Sequence, residues 1–395
     1  MNLLRFFFNL IIDNALHFIF CFSRLNSKVL IFNSTGNDNY NFNSRFLYEF
    51  MTKEQDENIR CYFVVNDDCK RKLLLECGVN NVISNKTLKN KILIFNAKTW
   101  ICSTIETPVT SFFKKKNRIV YHLGHGVPLK NIGMAERKIS YIKKINRYLK
   151  LRVFTHVTCY SDFFYDVLYR AFNKNDKICY MRLGQPRNDS ILRIDSSERK
   201  IIEKLCLKVV SIKELSNAKK ILYCPTWRNY ATTIFFPFPD FDANKLSDYL
   251  ERNNILIFTR EHPYYNFDFP CGVENIRRII PLNSDVLSDI TPGLSFFDLL
   301  LTDYSSIFID FLVTGKPVNF IPYDLDTYNK KVGFSKPYSE LAVGEYIYNF
   351  SGFLKCINEN TSECYHQEYL NNFNVKSAGN CFEHYNNIRK IIGLV

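Results

Sequence analysis

Two histidines, three glycines and a lysine crowd into residues 121–133, Tyr-His-Leu-Gly-His-Gly-Val-Pro-Leu-Lys-Asn-Ile-Gly, of a chain that holds only 14 Gly and 7 His. Glycines at this density let a backbone turn sharply. An imidazole beside such a turn is the side chain best matched to proton transfer near neutral pH. Four further stretches carry related chemistry. Gly-Gln-Pro-Arg-Asn-Asp (184–189) is a turn that presents Arg187, and Cys-Pro-Thr-Trp-Arg (224–228) sets Thr226, Trp227 and Arg228 just past an apolar run. Thr-Arg-Glu-His-Pro (259–263) carries Arg260, Glu261 and His262. Leu-Thr-Asp-Tyr-Ser-Ser-Ile-Phe-Ile-Asp (301–310) puts Ser305 and Ser306 where a strand turns into a helix, with Asp310 one turn on. Each has a plainer reading by itself. A histidine before proline is most often a hydrogen-bonded loop residue, paired serines cap helices, and an arginine in a turn is an ion-pair partner. Together they make the set a pyrophosphate ligand needs, because helix amides and hydroxyls take phosphate oxygens and guanidinium forks match them two at a time.

Short apolar runs alternating with helix-like segments must position these groups. KVLIFN (28–33), RCYFVV (60–65), KILIFNAKTWICS (91–103) and NRIVYHLGHG (117–126) read as buried strands, with SRFLYEFMTKE (44–54) a helix between them. A second series follows the charged segment 195–220: KKILYCPTW (219–227), NILIFTREH (254–262), NIRRIIPL (275–282) and KPVNFIPYD (316–324). SSIFIDFLVTG (305–315) reads as a helix ended by Gly315. The length of 395 residues fits two domains of ~150–200 residues each. The expectation is an α/β protein of two doubly wound, Rossmann-like domains facing a cleft, spanning residues 28–195 and 196–395, after an apolar N-terminal helix at 1–27. Ligands of such sheets bind beyond the carboxyl ends of the strands, where the five stretches fall. Neither a Walker loop nor a complete dinucleotide Gly-x-Gly-x-x-Gly is present; Gly124-His125-Gly126 supplies only the first half of the latter.

The net charge of +13 calls for an anionic partner: nucleic acid, an acidic membrane surface or a phosphate-rich substrate. The 13 cysteines are odd in number and scattered, with no Cys-x-x-Cys pair. They read as buried, reduced thiols of a cytosolic protein rather than zinc ligands or a disulfide framework. Arg5, Asp13 and His17 interrupt the apolar N-terminus, which lacks the roughly 20 uninterrupted apolar residues of a membrane span. Two readings stand there, a helix lying in the membrane interface and a helix packed on the protein's own core. Residues 134–154 carry seven Lys or Arg against one Glu, with Ile139, Tyr141, Ile142, Ile145, Tyr148 and Leu149 on helical spacing. Such basic amphipathic stretches rest on anionic lipid; the plainer reading is a solvated helix covering the core. Asp324-Leu325-Asp326 is a carboxylate spacing common by chance, and no metal or other cofactor is expected.

In their order along the chain, the five stretches resemble the CDP-glycerol glycerophosphotransferase family, the enzymes that build teichoic acids and related capsule polymers. The family pattern runs His-Gly-Thr-Pro-Leu-Lys, Gly-x-Pro-Arg-Asn-Asp, Pro-Thr-Trp-Arg, Arg-x-His-Pro, then Thr-Asp-Tyr-Ser-Ser with a later Asp. The likeness extends to residues 34–50 and 323–334, and so covers roughly residues 28–360. It implies the two-domain glycosyltransferase B (GT-B) architecture, with an acceptor-side N-terminal domain and a donor-binding C-terminal one. By the same resemblance, His125 is the general base toward the acceptor hydroxyl, and His262 sits on the donor pyrophosphate with Arg260 and Glu261 beside it. Arg187, Thr226, Trp227 and Arg228 line the nucleotide site. Ser305 and Ser306 hold phosphate oxygens, Asp310 completes the set, and Leu129, Lys130 and Gly133 border the donor. The reaction implied is transfer of glycerol phosphate, or ribitol phosphate, from CDP-glycerol or CDP-ribitol to a lipid-linked or polysaccharide acceptor, with release of CMP. A place on the cytoplasmic face of the membrane follows.

Three departures bear on the acceptor side: Gly124 stands where the family has Trp, Val127 where it has Thr, and Asn229 where it has Asp. His122, three residues before His125 on the strand, reads as structural, with a role as rival base left open. A GT-B glycosyltransferase using a nucleotide sugar is the alternative, disfavoured by the Pro-Thr-Trp-Arg and Thr-Asp-Tyr-Ser-Ser stretches. A basic nucleic-acid-binding protein would leave the histidines unexplained.

Overall fold

The structure, a computed structural model, describes residues 3–20, 22–110, 113–137, 139–261, 267–342, 344–359, 366–373 and 376–394. Seven strands build its first sheet: β1 (Asn26–Asn33), β2 (Arg60–Val64), β3 (Val82–Ile83), β4 (Ala97–Cys102), β5 (Ile119–His122), β6 (His156–Thr158) and β7 (Cys179–Met181). All pair in parallel, in the order β3-β2-β1-β4-β5-β6-β7. Leu30, Ile31, Phe32, Ile101, Val120 and Tyr121 are fully buried. These strands read as continuous apolar runs because a parallel sheet is covered on both faces.

Seven more strands follow: β8 (Lys219–Tyr223), β9 (Thr233–Ile234), β10 (Ile255–Thr259), β11 (Phe267–Asp268), β12 (Ile279–Pro281), β13 (Leu299–Thr302) and β14 (Val318–Phe320). Five form a second parallel sheet in the order β12-β10-β8-β13-β14, and β9 pairs with β11. Strand order reverses between β1 and β4 in the first sheet and between β8 and β13 in the second. These reversals are the switch points where doubly wound sheets open a ligand crevice.

The chain divides into two compact units, Met1–Val127 with Ile132–Asp189 and Ala378–Val395, and Pro128–Asn131 with Ser190–Ser377. The last helix, Asn380–Ile392, therefore lies in the first unit, although the order of elements groups it with the second. Asp189 of the second motif holds it there. Its carboxylate accepts from the backbone and side-chain nitrogens of Asn380 at 3.0 and 2.7 Å and from the Cys381 amide at 2.8 Å. His384, fully buried, seals the joint. Its Nε2 lies 2.9 Å from the Gly184 carbonyl, which only accepts, so Nε2 carries the proton and Nδ1 accepts from the Tyr121 hydroxyl at 2.8 Å.

Several expectations from the sequence change on the structure. Residues 91–103 are not one strand; Leu88–Asn96 is a helix and only Ala97–Cys102 is strand. Thr87 starts the helix by accepting from the Asn90 amide, and Ile94 and Phe95 are buried. The helix at 305–315 is an α-helical turn, Ile307–Phe311, and a 3-10 turn, Leu312–Thr314, closed by Gly315 at φ +67°. Cys69, Cys77, Cys179 and Cys271 are exposed rather than buried, so burial accounts for only part of the cysteine usage.

The N-terminal helix, Leu3–Phe20, packs on the first unit through polar anchors. Buried Asp13 pairs with Lys91 and accepts from the Thr110 amide at 2.8 Å, and the His17 ring meets Phe95 and Phe113. Its Ile11, Phe18 and Ile19 are exposed. Among the described residues no helix is long and apolar enough to cross a membrane. In the basic segment, Ser140 caps the helix Tyr141–Leu151, of which only Leu151 is buried. Tyr141 and Ile142 are 77% and 81% exposed, so the apolar stripe does not cover the core.

Candidate functional site

In the first unit, β5 ends at His122 and the chain turns through Gly124 at φ +76°, where a Cβ would stand 1.9 Å from the Tyr160 hydroxyl oxygen. That hydroxyl donates to the Gly126 carbonyl at 3.1 Å. Backbone sign and space both demand glycine, and Tyr160 occupies the room in which a tryptophan at 124 would begin. His125 is exposed at the tip of this turn, its ring 5.5 Å from that of Phe42. The Arg187 guanidinium donates to the His125 carbonyl at 3.0 Å. Asn43 donates to the Gly124 carbonyl at 2.9 Å and accepts from the Arg187 amide at 3.2 Å. Helix start, glycine turn and second motif are thereby clamped together. Arg187 thus supports the His125 turn within the first unit, whereas Thr226, Trp227 and Arg228 belong to the second.

His122 is enclosed by Phe154 and Phe172, with ring centroids 5.3 and 5.2 Å away. Burial, and then the neighbouring His125, push its pKa down to about 3. A neutral imidazole held that firmly is packing, not a base. Gly133 is also structural, since a Cβ there would stand 2.4 Å from the Ala171 carbonyl oxygen. It lies in the first unit, apart from Leu129 and Lys130 in the second.

In the second unit, residues 128–131 run against 333–335. Ser335 donates from its amide to the Leu129 carbonyl at 2.8 Å and from its hydroxyl to the Pro128 carbonyl at 2.7 Å. This ladder fixes Lys130, whose ammonium lies 4.7 Å from the centroid of the Trp227 ring. Trp227 stands in the turn after β8, at the carboxyl end of the switch-point strand. Beside it the buried Thr226 hydroxyl has no hydrogen-bond partner among the described residues, nor has that of Thr259 at the end of β10. Asn229, the third departure, is exposed and outside this cluster.

Arg228 does not present its fork to a ligand. Its side chain is fully buried and pairs with Asp303 and Asp324, both at 2.6 Å. Burial opposes the charge, but the two carboxylates overcome it and raise the guanidinium pKa above its ordinary value. Tyr230 and Tyr304 hydroxyls also donate to Asp324, at 2.7 and 3.0 Å. These partners help hold the Asp324 carboxyl below its usual range against the effect of burial. Asp324 is thus engaged away from any pairing with Asp326. No group of three or more His, Cys, Asp or Glu among the described residues is arranged to hold a metal ion.

Ser305 and Ser306 are half-buried at the start of Ile307–Phe311, just after β13, and Asp310 is buried on that turn. The Arg260 fork donates to the Leu282 and Leu287 carbonyls, each at 2.9 Å, so it braces the loop after β12. Half-buried Glu261 has its carboxyl pKa raised by burial. His262 lies outside the described residues. Asp303 and Asn43, neither of them singled out from the sequence, and Asp324, noticed there only as part of a chance carboxylate spacing, tie the motifs together; the only trace of Asp303 was its place inside Thr-Asp-Tyr-Ser-Ser. A cavity of about 370 Å³, lined in part by Asp326, Asn329, Lys336 and Tyr338, opens in the second unit beside the 333–335 ladder.

Residues 15–388 match the family model described as CDP-glycerol:poly(glycerophosphate) glycerophosphotransferase. The chain is 26% identical over 350 residues to the teichoic acid poly(glycerol phosphate) polymerase of Bacillus subtilis, a match covering 86% of this chain and 44% of that protein. It is 27% identical over 375 residues to the teichoic acid glycerol-phosphate transferase of Staphylococcus aureus, covering 86% of each. The chain thus spans less than half the length of the Bacillus polymerase. Its fold is shared with the wall teichoic acid polymerase TagF, at a TM-score of 0.74 and 20% identity over 99% of this chain and 97% of that one. Since the family match runs through nearly the whole sequence, both sheets and all five motif stretches included, the chain belongs to the CDP-glycerol:poly(glycerophosphate) glycerophosphotransferase family.

Proposed function

We propose that this protein transfers a polyol phosphate from a CDP-activated polyol, glycerol or ribitol, to a hydroxyl of a growing or lipid-linked acceptor, releasing CMP. The observation that carries the reading is the convergence, at the switch point of the second sheet, of the Thr226–Trp227 turn and the Ser305–Ser306 turn, with Lys130 stacked on Trp227. A cation, an indole, the Thr226 hydroxyl, without a partner among the described residues, and the start of a helical turn are the groups a nucleoside diphosphate ester asks for. The second unit is then the donor-binding unit and the first the acceptor-side unit, and the two wound sheets support the GT-B class.

In this reaction the acceptor oxygen forms a bond to the phosphorus that bears the polyol. The bond from that phosphorus to the bridging oxygen breaks, and CMP leaves with the electron pair. His125, exposed and with its backbone clamped by Arg187 and Asn43, takes the acceptor proton. His262 and the residues beside it steady the leaving phosphate. Asp310, buried in the helical turn that follows the serines, completes the set, while Arg228, Arg187 and Arg260 hold turns in place. Positioning and charge do most of the work in phosphoryl transfer. Helix Tyr141–Leu151 supplies contact with an anionic membrane, supported by its exposed apolar stripe and its lysines.

The test is CMP release from CDP-glycerol and from CDP-ribitol, with a lipid-linked acceptor analogue, by wild type and His125→Ala. Turnover with one of the donors, cut by about 10²–10⁴ in the variant, is the expected result. Turnover that survives the substitution takes the base role away from His125, and no CMP from either donor overturns the reading.

A further inference from the structure

The Asp303 carboxylate spans both turns of the second switch point. One oxygen accepts from the Thr226 amide at 2.7 Å and from the Tyr304 amide, and the other from Arg228 at 2.6 Å. Thr226 precedes Trp227 in the turn after β8, and Tyr304 precedes Ser305 and Ser306 in the turn after β13. One side chain, 1% exposed, therefore sets the spacing of every group proposed to meet the donor from these two turns. Its own backbone carbonyl is held by the Tyr338 hydroxyl at 2.9 Å.

Asp324 completes the frame from a third element. It takes the Arg228 fork in bidentate fashion, at 2.6 and 3.2 Å, and receives the Tyr230 and Tyr304 hydroxyls. The guanidinium also lies against the rings of Tyr323 and Tyr304, 4.7 and 5.1 Å from their centroids. From Tyr304 the contact continues to Phe334, 5.5 Å away between rings, the residue bridged to Lys130.

Charge decides what this cluster is for. One guanidinium faces two carboxylates, leaving an excess of one negative charge where an anionic pyrophosphate is to be bound. Buried pairs of this kind add little net stability over apolar packing. A phosphate cradle would carry the opposite balance. Geometry remains as the use: the cluster fixes distances between turns, at an electrostatic cost that Lys130 and the other cations of the site offset.

We propose that Asp303, backed by Asp324 through Arg228, is the positioning residue of the donor site, holding the Thr226–Trp227 and Ser305–Ser306 turns at the separation that a CDP-polyol requires. The inference rests on the reading of the second unit as the donor-binding unit. Neither carboxylate touches the reacting atoms; both act through the residues they hold.

The experiment measures CDP-glycerol and CDP-ribitol binding by calorimetry, kcat and KM, and acrylamide quenching of Trp227. Quenching reports on Trp227 because the other tryptophan, Trp100, is 1% exposed. Four variants are compared: Asp303→Asn, Asp324→Asn, Asp324→Glu, and Leu250→Ala, a core truncation of the same unit outside the site. Asp303→Asn is expected to raise the donor Kd about tenfold or more, as removal of one partner of a buried charge pair does, and to increase quenching. Asp324→Asn should follow it more weakly, with Asp324→Glu restoring most of the affinity. Leu250→Ala should lower the melting temperature with Kd unchanged. Wild-type affinity in Asp303→Asn, or an equal loss of affinity in Leu250→Ala, overturns the proposal. Should wild type bind neither CDP-polyol, the functional reading fails, and unchanged quenching in Asp303→Asn then overturns the positioning role as well.

Discussion

At the scale of single residues, Gly124 and Tyr160 share a space that admits only one side chain, and the turn that carries His125 depends on it. Alanine at 124 pays for a left-handed backbone and for the Tyr160 hydroxyl that its Cβ would meet at 1.9 Å. Left-handed strain of ~1–2 kcal/mol and overpacking of ~1–3 kcal/mol predict that Gly124→Ala loses about 2–5 kcal/mol in denaturant unfolding. Gly124→Ala combined with Tyr160→Phe should recover part of that loss, because the hydroxyl is the nearest obstacle. A double variant no more stable than Gly124→Ala would show that the clash is absent. The sharp turn around His125 was legible in the sequence because glycines flank it on both sides. Asn43 and Asp303 were not, since an amide or carboxylate next to a turn looks like any other until its partners, 81 and 77 residues away, are known. Arg228 misleads for the same reason: its motif points to phosphate, and only the fold brings up the carboxylates that claim it.

Among the elements, helix Tyr141–Leu151 has a clear amphipathic pattern and buries only Leu151. Its spacing predicts an amphipathic helix, yet spacing alone left open whether the apolar stripe meets the core or a membrane. The exposure of Tyr141, Ile142, Ile145 and Tyr148 excludes the core, and Lys143 and Lys144 are exposed beside them. Each such lysine is worth about 1 kcal/mol near an anionic surface. Wild type should therefore sediment with phosphatidylglycerol vesicles and not with phosphatidylcholine ones. Ile142→Asp with Ile145→Asp should stay in the supernatant at an unchanged melting temperature, since neither position packs. Wild type that ignores phosphatidylglycerol vesicles would remove the membrane role from this helix. Short elements escaped the sequence: β6 and β7 have three residues each, too few for a period to show. Helix Leu88–Asn96 was read as strand because its apolar residues adjoin those of β4 and only Thr87 marks the division.

The whole molecule holds its buried histidines uncharged, which ties its stability to pH. Burial pushes the pKa of His122 down to about 3 and that of His384 to about 4, against ~6.5 in an unfolded chain. Between these values the unfolded chain binds protons that the folded one refuses, so stability rises with pH there. Their contribution is complete above about pH 6.5 and is lost as the pH falls, at up to ~2.7 kcal/mol per unit for the two groups together. Carboxylates with lowered pKa, such as Asp324, withdraw their share only below about pH 4. The melting temperature should fall steadily from pH 6.5 to 5, and less steeply in His384→Gln; a flat profile over that range would contradict the neutral burial of both rings. By itself, the order of amino acids determined the α/β class, the longer strands of both series and the five motifs at strand ends, because these are local matters of periodicity and turn chemistry. Only the tertiary structure decided that the last helix returns to the first unit, that Phe154 and Phe172 enclose His122, and that Arg228 is held by Asp303 and Asp324. Those outcomes depend on which distant side chains share a buried space, and hydrogen-bond partners and desolvation exist only once that space has formed.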